Sequence, residues 1–276
     1  MLPFSILALG GGGTKGILHV GAIQELEFRY GDLRKQFYKG IYGCSVGAII
    51  GTGIAFGMNA AELENIALNL SDMSAVVNAE ISIDILTKKG FCDMNDVEAY
   101  ILKMFDSQNI DLRGKLISDG KIPLSIIASN LTKGIQTIFR KNVPVLTALK
   151  ASCCIPFLFR PQIIGSSVYV DGGCLTNSVN SVIPSEDQKC VLTLNIVHTH
   201  AKITPENIED MEPLKFIYNL YKNTRLYERL QNPDPNSVGL YHSTANGITD
   251  MTRPEKEDMI VLGKCLLRDF LTKRGY

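Results

Sequence analysis

The pattern of apolar and polar positions along the chain predicts short buried strands that alternate with amphipathic helices. Apolar runs bounded by turn-forming residues predict strands at about residues 4–9, 39–44, 122–129, 135–140, 168–170 and 191–197. Apolar residues at helical spacing predict helices from residue 16 and over about 46–57, 59–70, 94–106, 144–152, 213–231 and 254–273. Residues 75–92 fit neither pattern and are expected to form a loop or a short insertion. This alternation predicts an α/β fold, a three-layer sandwich with a mostly parallel central sheet.

Capping residues mark three of the predicted helix starts. Asn59 is followed three residues later by Glu62, and Thr252 is followed in the same way by Glu255. Asp93 is a further N-cap residue. We expect one domain over residues 1–276, with the chemistry in about 5–183 and a strand and helices over about 190–276.

The composition is that of a globular protein with a substantial core and a balanced charge. Apolar residues make up 45% and charged residues 20% of the chain. Lys and Arg total 28, as do Asp and Glu, so the formal net charge is zero. This balance argues against a broad electrostatic surface for nucleic acid, and we expect no nucleic-acid partner. A local basic patch for a membrane surface is compatible with a neutral total.

The termini and cysteines carry no sign of export or of metal binding. The first five residues lack a basic region, and the 13-residue apolar stretch Val46–Met58 is too short to span a bilayer. Seven cysteines are scattered along the chain without a C-x-x-C pair, so neither a zinc site nor a disulfide framework is indicated. We therefore expect a cytoplasmic protein without a metal or other cofactor.

A glycine-rich turn follows the first strand and has three alternative interpretations. Gly11-x-Gly13-x-x-Gly16 matches a dinucleotide-binding pattern, but the second strand does not end in the acidic residue that would hold a ribose. A phosphate-binding P-loop requires Gly-Lys-Ser/Thr, which Thr14-Lys15-Gly16 does not supply. The third interpretation is an oxyanion hole, in which free backbone N–H groups bind the negative charge that develops during acyl transfer.

The second strand is followed by a candidate nucleophile. Gly43-Cys44-Ser45-Val46-Gly47 matches G-x-S-x-G, a strand-to-helix turn that exposes a serine hydroxyl and brings neighbouring backbone close. The alternative is a glycine-rich turn in which Ser45 only caps the following helix. The glycine run one βα unit earlier favours catalysis over that alternative.

A serine nucleophile requires a base, and the four histidines offer no convincing one. Asp171 directly follows the predicted strand 168–170 and is a candidate acid. His198, His200 and His242 all come after it, so the chain order permits a Ser-Asp-His triad. His198 and His200 could also bind a metal, although such a pair is more often polar surface. His19 lies one turn into the first helix and is expected to be a packing residue.

Three motifs in this order resemble the patatin-like phospholipase family. They are Gly11–Gly16, Gly43–Gly47 and Asp171-Gly172-Gly173. The stretch Ala151–Pro156 is also similar to that family's A-S-x-A-x-P segment, and the resemblance covers about residues 5–183.

The resemblance implies a lipid acyl hydrolase with a Ser–Asp dyad and no catalytic histidine. Ser45 would be the nucleophile and Asp171 its base. The N–H groups of Gly11, Gly12 and Gly13 would form the oxyanion hole. The remaining motif positions would support this geometry; they are Lys15, Gly16, Gly43, Gly47, Gly172 and Gly173.

The chain departs from the family pattern at three positions. Gly10 stands where a polar residue is common, Lys15 stands in place of Arg, and no Pro follows Asn177. Lys keeps the charge of Arg but not its planar fork. A catalytically inactive lipid-binding or interaction module is therefore the alternative function.

A lipid or phospholipid substrate would require an apolar groove. Candidate lining residues flank the serine elbow and the A-S-x-x segment; they are Ile49, Ile50, Phe56, Ile155, Phe157, Leu158 and Phe159. Each of them is also a plausible core residue. A membrane-borne substrate would favour peripheral docking through residues 75–92 or an amphipathic helix face. Nothing in the sequence indicates an oligomeric state.

Overall fold

A central sheet organises the computed structural model, which describes residues 2–69, 89–175, 178–197, 203–211, 216, 219–220, 235–242 and 251–276. The strands are β1 Ile6–Leu9, β2 Gly40–Cys44, β3 Gly90–Cys92, β4 Leu124–Asn130, β5 Ile135–Phe139, β6 Phe157–Phe159, β7 Gln162–Ile164, β8 Ser167–Asp171, β9 Val191–Val197 and β10 Ser237–Tyr241. The α-helices are α1 Ile17–Tyr30, α2 Leu33–Gln36, α3 Val46–Phe56, α4 Ala60–Asn69, α5 Met94–Asp106, α6 Val145–Cys153, α7 Pro205–Ile208 and α8 Arg253–Lys273. Short 3-10 helices cover Gly13–Gly16, Ile117–Asp119, Gly172–Cys174, Val179–Val182 and Gln188–Cys190.

The described strands pair in the order β10-β9-β1-β2-β4-β8-β7, with β5 also paired to β4, and β3 and β6 form a separate pair. The five strands from β10 to β4 are parallel, whereas β5, β7 and β8 pair in antiparallel fashion. The carboxyl ends of β1, β2 and β4 therefore lie at one edge of the sheet. Turns that follow parallel strands meet at such an edge, which is where open α/β sheets bind ligands.

The register between strands brings two distant segments of the chain to that edge. Cys44 at the end of β2 pairs with Ile127 of β4. The next residue of β4, Ala128, pairs with Asp171 at the end of β8. Although β8 runs in the opposite direction, its last residue thus lies beside the turn that follows β2.

The helices cover one face of the sheet and form the main core. Side chains alternate along β1, so Leu7 and Leu9 join the large helical core while Ile6 and Ala8 join a smaller buried cluster with residues 179–183 on the other face. Helices α1 and α8 cross closely because a β-carbon at Gly21 or Gly263 would overlap the backbone of the opposite helix. The α-helices on one face, the sheet, and the segment 179–183 on the other face form three layers, in agreement with the predicted α/β sandwich.

An ion pair within the described residues ties α8 to α1. Glu25 of α1 is buried and accepts hydrogen bonds from Arg268 at 2.9 and 3.0 Å and from Arg29 at 2.7 Å. The hydrogen bond with Arg268 is the largest of the influences that lower the pKa of the Glu25 carboxyl. The C-terminal helix is therefore fixed against the helix that follows the glycine loop.

Most predicted elements have the expected type, with ends that differ by one or two residues. Asp93 and Thr252 cap α5 and α8 as predicted. The short strands β6, β7 and β10 were not predicted. β6 and β7 are mostly apolar but have only three residues, too few to show a period, and β10 is interrupted by a glycine. β3 lies at the end of the segment 75–92, for which a loop or a short insertion was expected, so a loop is wrong for that end. Most of that segment and of the predicted helix 213–231 lies outside the described residues.

Of the helices described, none is both long and apolar enough to cross a membrane.

Candidate active site

Ser45 occupies a strained turn between β2 and α3. Its backbone has φ 55° and ψ −129°, a left-handed region that residues with a side chain rarely adopt. The flanking glycines make this turn possible, since a β-carbon at Gly43 would lie 2.5 Å from Cα of Ala48 and one at Gly47 would overlap the carbonyl of Leu9. Ser45 therefore presents its side chain at the edge of the sheet at a cost in backbone strain.

Ser152 holds this turn in place from the neighbouring helix α6. The backbone N–H of Ser45 donates to Oγ of Ser152 at 2.9 Å, and the Ser152 hydroxyl donates to the carbonyl of Ile127 at 2.7 Å. Ser152 is fully buried, so both bonds are shielded from water. From the sequence, Ser152 was identified only as part of the A-S-x-x segment. Its contact with Ser45 was not predicted, because a hydrogen bond between residues 107 positions apart leaves no local sequence signal.

Asp171 ends β8 as a buried carboxyl group. One of its oxygens, Oδ1, accepts from the backbone N–H of Gly173 at 2.8 Å. Burial raises the pKa of Asp171 to about 6, and the nearby Ser45 hydroxyl and the Gly173 N–H oppose this rise. A β-carbon at Gly172 would lie 2.8 Å from Sγ of Cys44, so the Asp-Gly-Gly turn lies against the residue that precedes Ser45.

The second carboxylate oxygen of Asp171, Oδ2, takes no part in the hydrogen bond with Gly173. Oδ2 is buried and accepts no hydrogen bond of acceptable geometry from the described residues. The Ser45 hydroxyl is nevertheless close enough to the carboxyl to lower its pKa. In enzymes without bound substrate such bonds are often long and tighten only during the reaction.

The glycine loop lies against the serine turn. A β-carbon at Gly11 would be 3.0 Å from Cβ of Ser45, and one at Gly16 would overlap the side chain of Val46. Gly12 faces Ile196 of β9, whose side chain would be 2.6 Å from an added β-carbon. Gly13 has φ 57° and lines the cavity beside Ser45. Within the described part of the chain, the N–H groups of Gly11 and Gly12 have no acceptor.

Gly10 and His19 shape the start of this loop. The N–H of Gly10 donates to the carbonyl of Leu194 at 2.9 Å, and a β-carbon there would lie 2.9 Å from Oδ1 of Asn195. The carbonyl of Gly10 accepts from Nε2 of His19, also at 2.9 Å. His19 was expected to be a packing residue; it is fully buried, but its ring contacts the loop backbone. Helical side chains lean toward the helix N-terminus, which is the one sequence signal that could have indicated this contact.

The remaining candidates contribute less to this site. Lys15 is almost completely buried, with 2% of its surface exposed. His242 follows the edge strand β10, three strand spacings or roughly 14 Å from β2, so it does not complete a triad with Ser45. Asn177, His198 and His200 lie outside the described residues. Asp32, the acidic residue about 20 positions after the glycine loop, lies before β2, where it caps α2 and binds Arg34.

A cavity of about 190 Å³ opens beside Ser45 between α1, α3, α4, α5 and α6. Its lining is largely apolar and includes five residues expected from the sequence; they are Ile49, Ile50, Ile155, Leu158 and Phe159. Phe56 and Phe157 are not among the described lining residues, which corrects that expectation. Phe56 lies at the far end of α3 from Ser45, and Phe157 has φ 69° and remains 48% exposed.

In the described residues no group of three or more His, Cys, Asp or Glu side chains could hold a metal ion.

The fold and this geometry define the class of protein as an α/β sandwich with a strained serine elbow beside a glycine loop. A family model described as Patatin-like phospholipase matches residues 7–181, well over half of the chain. The chain belongs to the patatin-like phospholipase family.

The chain is also similar to individual proteins. The uncharacterized protein YqhO of Bacillus subtilis is 27% identical over 224 residues, which are 72% of this chain and 74% of that protein. The intracellular phospholipase A2 of Caenorhabditis elegans is 24% identical over 63% of this chain, which spans only 16% of the worm protein. The crystal structure of VipD from Legionella pneumophila matches 99% of this chain and 67% of its own, with a TM-score of 0.61 and 16% identity. At that identity the likeness to VipD concerns the fold.

Proposed function

We propose that this protein hydrolyses carboxylic ester bonds of lipids through an acyl-Ser45 intermediate, with Asp171 as the base. The observation that carries the proposal is a buried carboxyl with a pKa raised to about 6, adjacent to a serine in a strained turn. A base whose pKa lies near the working pH combines the ionised state with a useful affinity for a proton. The family membership and the phospholipase relative support a lipid substrate.

In the first half of the reaction, Asp171 takes the proton of the Ser45 hydroxyl as Oγ attacks the ester carbonyl carbon. The carbonyl oxygen becomes an oxyanion, which the N–H groups of Gly11, Gly12 and Gly13 stabilise. A preorganised donor of this kind contributes roughly 10²–10³ in rate. The intermediate then collapses, the bond to the alcohol oxygen breaks, and protonated Asp171 returns the proton to the leaving alcohol.

In the second half, water replaces the alcohol. Asp171 removes a proton from the water as its oxygen attacks the acyl carbonyl, and the same N–H groups stabilise the second oxyanion. Collapse breaks the bond to Ser45 Oγ and releases the fatty acid, while the proton held by Asp171 restores the serine hydroxyl. The cycle balances without a metal or other cofactor.

The cavity beside Ser45 supports an acyl chain as the group that is bound. The side chains that line it from α3, α4 and α5 are mainly aliphatic and aromatic, and the cavity begins at Ser45 itself. Burying an acyl chain there releases about 0.8 kcal/mol per methylene group. Binding energy gained along the chain would hold the ester carbonyl next to the serine. We therefore propose a lipid with a hydrocarbon chain, of the phospholipid class, as substrate.

A fluorophosphonate probe combined with an ester assay tests this function. Wild-type protein should be labelled on Ser45 and should hydrolyse p-nitrophenyl acyl esters and phospholipid vesicles, also in the presence of a chelator. Ser45→Ala should lose both properties. Ser125→Ala is the matched control, since that buried serine binds Arg140 away from the site. An unlabelled protein that binds vesicles without hydrolysis would instead identify an inactive lipid-binding module.

A further inference from the structure

The hydrogen bond between His19 and Gly10 fixes a peptide group at the start of the glycine loop. His19 lies in the first turn of α1, and its ring reaches back to the carbonyl of Gly10 at 2.9 Å. Because a carbonyl oxygen only accepts, Nε2 of His19 must carry the proton and donate it. Burial lowers the pKa of His19 to about 4, so the imidazole ring is neutral at neutral pH.

This bond determines the direction of the next backbone N–H. Every described peptide bond is trans, and in a trans peptide the C=O of one residue and the N–H of the next point in opposite directions. Because the carbonyl of Gly10 is bonded to His19, the N–H of Gly11 points away from His19. Gly11 itself lies against Ser45, with its β-carbon position 3.0 Å from Cβ of that residue.

A run of glycines by itself does not fix the direction of the Gly11 N–H. Glycine adopts backbone angles on both sides of φ zero, so a Gly-Gly peptide can rotate at little cost. Rotation of the Gly10–Gly11 peptide would turn a carbonyl oxygen, instead of an N–H group, toward the reacting carbonyl. The bond from Gly10 N–H to Leu194 fixes only the preceding peptide.

The other ring nitrogen shows that packing alone does not explain a histidine at this position. Nδ1 of His19 is buried and has no hydrogen-bond partner among the described residues. A buried acceptor without a partner lowers stability, and an aliphatic side chain would avoid that cost. The contact with Gly10 is the polar interaction that a histidine provides here.

We infer that His19 is a positioning residue that orients the Gly11 N–H for the developing oxyanion. The inference rests on the proposed hydrolysis at Ser45. His19 touches neither the substrate nor the reacting atoms, and it acts through the Gly10–Gly11 peptide. Its loss should therefore weaken binding of the transition state and leave binding of the ground state unchanged.

Three substitutions separate the hydrogen bond from polarity and volume. His19→Gln places an amide N–H near the position of Nε2, His19→Asn carries the same amide too far back to reach Gly10, and His19→Leu removes the donor. We expect His19→Asn and His19→Leu to lower kcat for a p-nitrophenyl ester by about 10- to 100-fold with KM unchanged. His19→Gln should retain most of the wild-type kcat.

Inhibitor binding gives a readout that a merely structural role would not change. Ser45 Oγ adds to the carbonyl carbon of a trifluoromethyl ketone, and the ketone oxygen becomes an oxyanion. In each His19 variant the inhibition constant of this ketone should therefore rise by the factor by which kcat/KM falls. A non-hydrolysable ether analogue forms no oxyanion and should bind all variants equally. Thr52→Val is a control, since it removes a buried hydrogen bond to Ala48 on α3 without contacting the loop.

The outcomes distinguish this inference from the proposed function. Equal kcat values for the Gln and Asn variants, or equal loss of affinity for both inhibitors, would overturn the role of His19 alone. This comparison also decides the question if His19→Leu does not fold. A wild-type protein that neither hydrolyses esters nor binds the ketone covalently would overturn the proposed function, and the oxyanion role of His19 with it.

Discussion

Gly11 lies so close to Ser45 that a β-carbon on the glycine would be 3.0 Å from Cβ of the serine. The backbone of Gly11 is not in the left-handed region, so alanine is allowed there on conformational grounds. The added methyl group would press on Ser45, the proposed nucleophile, and occupy space next to the proposed oxyanion position. We expect Gly11→Ala to lower kcat for ester hydrolysis by roughly 10²-fold with a change of less than about 1 kcal/mol in the free energy of unfolding.

Steady-state kinetics and urea unfolding of the same preparation test this. Gly120→Ala is the matched control, because Gly120 has an extended backbone and its β-carbon position is 3.3 Å from the nearest atom, away from the site. Unchanged kcat in Gly11→Ala would contradict the placement of the oxyanion beside Gly11.

The raised pKa of Asp171 predicts an acid limb in the pH profile. Asp171 is the proposed base, and its pKa is raised to about 6 chiefly by burial. We expect kcat/KM to rise with pH up to about 6, by about tenfold per pH unit below that value, and to level off above pH 7. His19 has a pKa of about 4 and stays neutral across this range. A profile measured with a neutral p-nitrophenyl ester that shows no limb near pH 6 would argue against Asp171 as the base.

The same raised pKa predicts that Asp171→Asn stabilises the protein at neutral pH. A carboxyl whose pKa is about 6 in the folded state and 3.8 when unfolded favours folding only while it is protonated. Its ionisation therefore destabilises the fold progressively from pH 4 to pH 6, by a total on the order of 2–3 kcal/mol. A neutral asparagine avoids this effect while it keeps an acceptor for Gly173.

Urea unfolding of wild type and Asp171→Asn at pH 8 and at pH 4 measures this difference. The variant should be more stable at pH 8 by that amount, nearly equal to wild type at pH 4, and inactive at both. A stability difference independent of pH would show that the carboxyl is not perturbed in the folded state.

Ser152 should contribute more to stability than its place in the helix suggests. Ser152→Ala removes the side-chain acceptor of the buried N–H of Ser45 and one donor to the carbonyl of Ile127. An unsatisfied buried group costs about 1–3 kcal/mol, so we expect a loss of that size in the free energy of unfolding together with a lower kcat. Thermal and urea unfolding check this, with Ser125→Ala as the control because its hydroxyl does not contact the serine turn. Wild-type stability in Ser152→Ala would mean that the two groups find other partners.

The cavity predicts a selectivity for acyl chain length that a single substitution should change. Ala67 lines the cavity from α4, and Ala67→Phe would fill part of its volume of about 190 Å³. We expect kcat/KM to fall more for long-chain than for short-chain p-nitrophenyl esters. Ala99→Phe makes the same change on the exposed side of α5 and should leave the ratio unchanged. An equal loss for acetate and long-chain esters would place the acyl chain elsewhere.

Local sequence determined the elements and the chemical types of the site. The glycine pattern around Ser45 identified a turn in which the backbone approaches Ala48 and Leu9, because only glycine permits such contacts. Periodicity and capping residues identified α5 and α8 almost to the residue. These features depend on neighbours within a few positions, so one sequence suffices to read them.

Tertiary structure decided which of these features meet. Asp171 lies beside the serine turn because β8 pairs with β4 in a register that sets Asp171 opposite Ala128, one step beyond the partner of Cys44. The pKa of Asp171 depends on burial by the whole core, and the partners of His19 and Ser152 depend on how helices α1 and α6 are seated on the sheet. The strand partner and the burial of Asp171 depend on contacts between residues far apart in the chain, which the local sequence around Asp171 does not identify.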